Sequence, residues 1–275
     1  MMKSSARRLI PAPLRHWISR LLGFGMRYRG PFASWEEAKR HSSGYDDRLI
    51  LARVLAGTRL VVAGKAAYEQ DSVVFAKPDP NLQMCVAIAL SAARSRGPLA
   101  ILDFGGALGS HFFRCQDLLR QLDLDSWNVV EQDHFVNCGR RELTAIEKLH
   151  FHTTIEDACK AASPGLLIAS SVLQYIEDPM DTLNVLAECG ADVLLLDRMP
   201  FSDDGKTYCM VQHVPKDIYP ASYPIWFLSW HDICRALSGK YAMLMEFDSG
   251  DAPACAGRIR AQYRGALFVR RHGAA

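Results

Sequence analysis

From residue 99 onward the chain alternates short, continuous apolar runs with amphipathic stretches. Runs at Leu99–Asp103, Trp127–Glu131, Leu166–Ser170 and Val193–Asp197 have the length and uniform apolarity of strands buried on both faces. A weaker run, His150–Thr154, fits a third strand in chain order. Helical spacing fills the intervals near 110–122, 134–148 and 180–190. Strands separated by helices predict an α/β fold with a parallel, doubly wound sheet. Near the end, Ala242–Phe247 and Ala266–Arg270 are joined by a stretch containing Gly, Asp and Pro, which predicts a C-terminal antiparallel hairpin.

The N-terminal third reads as helical. Leu14, Trp17, Ile18, Leu21 and Leu22 form one apolar stripe over residues 13–22, with Arg15 and Arg20 off it. Gly23 to Pro31 breaks that helix. Ser34-Trp-Glu-Glu37 has the spacing of a capping box. Helices are expected over 46–63, with Leu49, Ile50, Val54 and Leu55 apolar, and over 80–95. Three regions follow: a basic amphipathic arm (1–30), a helical cap (31–98) and the sheet-bearing domain (99–275).

Composition adds few constraints. The 275 residues are 49% hydrophobic and 23% charged, as in an ordinary globular protein. Net charge is +2, but residues 1–30 carry seven basic residues and no acidic one. Taking that +7 from +2 leaves −5 on the rest, a mildly acidic body that argues against a nucleic-acid substrate. The arm suits peripheral contact with an anionic membrane surface through residues 1–28, or packing on the body or a second subunit. No apolar run reaches the ~18 residues of a membrane span, and the arm does not look like a secretory signal. A cytoplasmic protein is expected, at the inner face of the membrane if the arm binds lipid. The eight cysteines form no C-x-x-C pair and no zinc spacing, so they read as free thiols and no metal site is expected.

The chemistry concentrates in three stretches. Ile101-Leu-Asp-Phe-Gly-Gly-Ala-Leu-Gly-Ser110 ends a strand and opens a helix. Gly105, Gly106 and Gly109 let the backbone approach a ligand. Glu131 ends the second strand, 22 residues after Gly109, where a carboxylate can accept hydrogen bonds from ribose hydroxyls. NAD enzymes share that feature. The third stretch, Ser170-Ser-Val-Leu-Gln-Tyr-Ile-Glu-Asp-Pro179, follows the fourth strand. The acid two residues before the loop, Asp103, resembles the first motif of class I S-adenosylmethionine-dependent methyltransferases, and the third stretch is similar to their pocket-lining segment.

Further motifs sharpen the resemblance. They are Ser34-Trp-Glu-Glu-Ala, Ser43-Gly-Tyr-Asp, Tyr68-Glu-x-Asp-Ser72, Leu196-Asp-Arg and Val211-Gln-His-Val-Pro-x-x-Ile-Tyr-Pro-Ala-Ser-Tyr-Pro-x-Trp-Phe227. Together, from about Gly30 to Arg270, the chain resembles methyltransferases found among bacterial surface-polysaccharide (O-antigen and capsule) biosynthesis proteins. The resemblance implies a Rossmann-like, mostly parallel seven-stranded sheet with the C-terminal hairpin and an N-terminal helical extension. It implies S-adenosylmethionine as cofactor, with Asp103, Gly105, Gly106, Gly109, Glu131, Ser171, Val172 and Leu173 in contact with it. O-methylation of a small-molecule or lipid-linked glycan is the expected activity.

For the acceptor, Gln212, His213, Tyr219, Tyr223 and Trp226 fall after the fifth strand, in a segment expected to close as a loop over a sugar ring. His213 is the first choice for the base that takes the hydroxyl proton, or else a structural histidine. Asp197 is the second choice. Tyr175 either orients the acceptor or stacks on the cofactor. Arg198 suits an acidic or phosphorylated acceptor, or forms a structural ion pair. Two other functions stay open from the residues: a non-catalytic nucleoside-cofactor-binding partner in a biosynthetic complex, and an NAD-linked sugar oxidoreductase. Asp103 and the third stretch argue against the latter.

Overall fold

The computed structural model describes residues 26–44, 47–215 and 221–271. The helix expected at 13–22 and Tyr219 lie outside the described residues. The chain opens with strand β1 (Arg27–Phe32), helices α1 (Trp35–Arg40) and α2 (Asp47–Val62), strands β2 (Tyr68–Gln70) and β3 (Val73–Phe75), and helix α3 (Leu82–Arg94). Arg27–Gly30, grouped with the arm by charge, are therefore strand, and the 31–98 region contains a hairpin as well as helices. Ser34 caps the helix as expected, its Oγ accepting from Glu37 N at 3.2 Å, while the returning Glu37 Oε2 accepts one residue further out, from Ala33 N at 2.8 Å rather than from Ser34 N.

The sheet-bearing part alternates as the apolar runs require. It contains β4 (Leu99–Phe104), α4 (Ser110–Arg114), α5 (Gln116–Leu119), β5 (Leu124–Val130), α6 (Asp133–Glu142), β6 (Leu149–His152), α7 (Ile155–Ala161) and β7 (Leu166–Ser170). A 3-10 turn (Leu173–Tyr175) and α8 (Pro179–Glu188) lead to β8 (Val193–Ser202). Then come β9 (Tyr208–His213), β10 (Ser222–Phe227), α9 (Trp230–Leu237), β11 (Tyr241–Asp248), β12 (Ala254–Ala256) and β13 (Ile259–Arg270). The main sheet runs β11-β13-β8-β7-β4-β5-β6, with β12 paired to β13 beside that path. Strands β4 to β8 pair parallel, whereas β13 runs antiparallel to β8 and β11 to β13. The expected hairpin thus closes one end. Strand order reverses between β4 and β7, the crevice where open α/β sheets take ligands.

Alternation along the strands divides the core into two layers. Ile101, Trp127, Ile168 and Leu195 point to the side covered by α2, α3, α4 and α6. Leu102, Val130, Leu167 and Leu196 point to the side covered by α8 and α9. Asn81 caps α3 by accepting from Met84 N at 3.0 Å, and the helix buries Met84, Ala87, Ile88 and Ser91 at helical spacing.

The segment after the fifth core strand is not a loop. β8 continues to Ser202, and β9 and β10 pair antiparallel, with β1 added on the far edge of β9. Pro31 and Pro224 fall on the two edge strands of this small sheet, where a missing N–H costs no ladder bond. Among the described residues no helix is long and apolar enough to cross a membrane.

Candidate functional site

The glycine loop crosses the C-terminal end of β4. Gly105 has φ +76°, a left-handed conformation favouring glycine. A Cβ there would lie 2.5 Å from Val172 Cγ2, so loop and third motif touch through a missing side chain. At Gly106 the constraint is Asp103: a Cβ would come within 2.3 Å of its Oδ2. Gly109 caps α4. Ala107 takes the left-handed φ of +52° where the usual pattern has glycine, a strain that costs an L-residue roughly 1–2 kcal/mol.

Asp103 supports this loop from beneath. Its side chain is completely buried. His111 Nδ1 lies 3.1 and 3.2 Å from the two carboxylate oxygens, and Trp127 Nε1 donates to Oδ2 at 3.1 Å. Burial works against the His111 charge, but the Asp103 charge and hydrogen bond outweigh it, and the histidine is held above its ordinary range. In this geometry both carboxylate oxygens of Asp103 are already engaged by His111 and Trp127 beneath the glycine loop. Its buried pair with His111 makes it an organiser of the loop.

Parity along the strands places three polar side chains on one face, with Ser170 level with Asp197 and Asp103 level with Ile168. Asp103 on β4, Ser170 on β7 and Asp197 on β8 share the face of Ile101, Ile168 and Leu195. Asp197 is 3% exposed. It accepts from Ser249 Oγ at 2.9 Å and Asn81 Nδ2 at 3.3 Å. Ser170 Oγ is buried and finds no partner among the described residues. An unsatisfied hydroxyl at a strand's C-terminal end marks a place for a polar ligand group or water.

Beside it, sequence analysis missed Gln174. Its Nε2 donates to Ser171 Oγ and to the Arg198 carbonyl, both at 3.1 Å. Ser171 and Arg198 each have a φ of 56°, so one amide fixes two strained residues where β7 and β8 end. The Leu173 side chain is wholly buried in the second core layer, whereas Ser171 and Val172 stay partly accessible. Glu131 ties the second strand to the loop, accepting from Ala107 N at 3.2 Å and Gln132 N at 2.9 Å. Burial raises its pKa, and these two amides pull the other way.

The acceptor candidates separate by face. Tyr175 donates its hydroxyl to Gln212 Oε1 at 3.2 Å, and Gln212 Nε2 donates to Tyr223 OH at 3.4 Å. Tyr175 and Tyr223 meet edge to face at 5.4 Å. Nearby, Tyr28 and Tyr263 share a hydroxyl contact of 3.1 Å. Burial pushes Tyr28 up to about 12 and Tyr263 well above its ordinary value.

His213 is one residue beyond Gln212 on β9, so its side chain points to the other face, with Cys209 and Val211 against Ala38 of α1. That alternation removes His213 from the Tyr175–Gln212 group. Trp226 also turns away: it stacks on Trp35 at 5.5 Å, and its Nε1 donates to the Ile176 carbonyl at 2.9 Å.

Arg198 is already engaged. Its Nε donates to Asp251 Oδ2 at 3.0 Å and its Nη2 to Asp71 Oδ2 at 2.9 Å, with the side chain 14% exposed. The guanidinium is a clasp joining β8, the β2–β3 turn and the segment before β12, and not an open anion site. Asp71 belonged to a motif with no assigned role. Asp251 had no sequence signal, because its partner lies 53 residues away. A cleft of about 560 Å³ on the β5–β6 edge, lined by Asn128, Arg140 and His150, contains none of these site residues.

No protein-family model and no curated protein matches the chain. Solved structures do resemble it. The N-terminal domain of EvdMO1, determined in the presence of SAH and D-fucose, is 13% identical over 83% of this chain and 98% of its own, with a TM-score of 0.50. The glycopeptide N-methyltransferase MtfA complexed with SAM is 13% identical over 69% and 94%, with a TM-score of 0.43. Magnesium protoporphyrin IX methyltransferase (ChlM) from Synechocystis PCC 6803 with bound SAH is 15% identical over 82% and 100%, also at 0.43. At these identities the likeness is one of architecture: the chain has the mixed α/β, Rossmann-like fold of class I methyltransferases.

Proposed function

We propose that the protein is an S-adenosylmethionine-dependent methyltransferase that O-methylates a sugar or glycan intermediate of surface-polysaccharide biosynthesis. The observation that carries this reading is the C-terminal edge of β4 and β7. There a glycine loop packs on Asp103 and Val172, Glu131 reaches the loop from β5, and Ser170 Oγ waits unpartnered. These groups fit the cofactor: the loop and Ser170 suit its amino-acid end, and the Glu131 carboxylate its ribose. When bound, S-adenosylmethionine supplies an electrophilic methyl group on a sulfonium leaving group.

The chain's own residues do the rest. Tyr175, Gln212 and Tyr223 form a linked polar and aromatic surface against which a hydroxylated ring can be oriented. Tyr28 and Tyr263 stay protonated and act as hydrogen-bond partners, because burial raises both. With His213 on the opposite face, Asp197 is the carboxylate to take the hydroxyl proton. The D-fucose present with EvdMO1 is in keeping with a sugar acceptor here.

The test is a screen of nucleotide-linked and lipid-linked sugars with S-adenosylmethionine, scored by S-adenosylhomocysteine formed and by acceptor mass. Methylation of a glycan above every other acceptor class is expected. Preferential methylation of a protein carboxylate or a free amine would overturn the sugar assignment.

A further inference from the structure

Glu69 is a buried carboxylate with no bonded cation among the described residues. It lies on β2, 3% exposed, pressed against α2 where a Cβ on Gly57 would come within 2.6 Å of its Cγ. Its Oε2 accepts from Ser110 Oγ at 2.6 Å, and its Oε1 from Ser72 N at 2.7 Å. Both donors are neutral, and Ser110 is the first residue of the helix that leaves the glycine loop.

The cations nearby are spoken for. Arg114 is bonded to Gln70 Oε1 and to Asp79, Arg198 to Asp71 and Asp251, and His111 to Asp103. The charged groups acting on Glu69 are Asp71 from the hairpin turn and His111 from α4. α2 presents Gly57 there, and β3 presents Val74. Around the loop, Glu69, Asp71, Asp103, Glu131, Asp197 and Asp251 outnumber His111, Arg114 and Arg198. Such a surplus suits a ligand with net positive charge, and S-adenosylmethionine carries a sulfonium beside its zwitterion.

We propose that Glu69 is the counter-charge for the cationic cofactor, and that it gives up its carboxyl proton to solvent as the cofactor binds. This rests on the cofactor reading above. It gives the Tyr68-Glu-x-Asp-Ser72 hairpin a role: it roofs the loop and is pinned there through Ser110, Arg114 and Arg198. In the free protein, burial raises the Glu69 carboxyl to about 7, with the Ser110 and Ser72 hydrogen bonds opposing and Asp71 assisting. Near neutral pH a substantial fraction is therefore protonated before binding.

Calorimetric titration of the full chain with S-adenosylmethionine, in phosphate and in Tris, measures proton release. Wild type is expected to release about half a proton near pH 7, and its affinity should fall by up to about tenfold from pH 8 to pH 6 as Glu69 becomes protonated. Glu69→Gln should release none of this and lose the pH dependence. Ser110→Ala, which removes a bond that lowers the Glu69 value, should move the midpoint upward, and it provides the test if Glu69→Gln fails to fold. Equal release by wild type and Glu69→Gln would place the proton on another group and overturn the proposal, as would an unmoved midpoint in Ser110→Ala. Binding without proton release would end this inference alone; absence of binding would end the cofactor reading with it.

Discussion

Replacing Asp197 with asparagine is expected to lower kcat for glycan methylation by about 10²- to 10⁴-fold, the usual contribution of a positioned general base. Asparagine keeps the side chain's size and can still accept from Ser249 Oγ, losing only the longer bond from Asn81 Nδ2, so the fold and cofactor binding should survive. His213→Gln is the matched control. On the strand face shared with Cys209 and Val211, it should leave kcat within about twofold. Steady-state kinetics on the two variants decides the matter. A large loss in His213→Gln with little change in Asp197→Asn would restore the histidine as base and require β9 to present its other face.

The second large effect concerns stability. Arg198→Met should destabilise the protein by about 3 kcal/mol, the lower end for breaking a buried ion pair, because Asp251 is 11% exposed while Asp71 is 48% exposed and easily resolvated. Tm should drop by roughly 2–4 °C for each kcal/mol lost. Adding Asp251→Asn to Arg198→Met should recover part of the loss, since it removes the stranded charge. Thermal unfolding of both variants measures this. If Arg198 were instead an open anion site, the single substitution would leave Tm unchanged and weaken only the acceptor.

The central sheet was legible because its strands are buried on both sides. Leu166–Ser170 reads as one apolar run, and the structure covers it on both faces. Local helix signals also carried through, as in the Ser34–Glu37 cap. The helix expected over 134–148 stops at Glu142, where Leu143 leaves helical geometry to pack in the core beside Leu149. The small sheet was not legible. Tyr208–His213 has no apolar-polar alternation to mark it as a strand, and its partner β1 lies some 180 residues earlier in the chain, a distant pairing on which periodicity is silent.

The same limit governs the site. Sequence proximity grouped Gln212 with His213, whereas a strand sends neighbouring side chains to opposite faces. Asp103 stands where the motif implies, but its exposure depends on His111 and Trp127 closing over it. Asp71 and Asp251 converge on Arg198 from sequence separations of 127 and 53 residues. Gln174 lay inside the quoted third motif, yet its role emerges only with the two left-handed residues that it joins.

The most direct measurement is calorimetric titration of the protein with S-adenosylmethionine, S-adenosylhomocysteine and NAD, with Glu131→Ala alongside. The account requires micromolar binding of both sulfur nucleosides, strong weakening in Glu131→Ala, and no binding of NAD. Binding of NAD alone would contradict it and turn the same loop and carboxylate into a dinucleotide site.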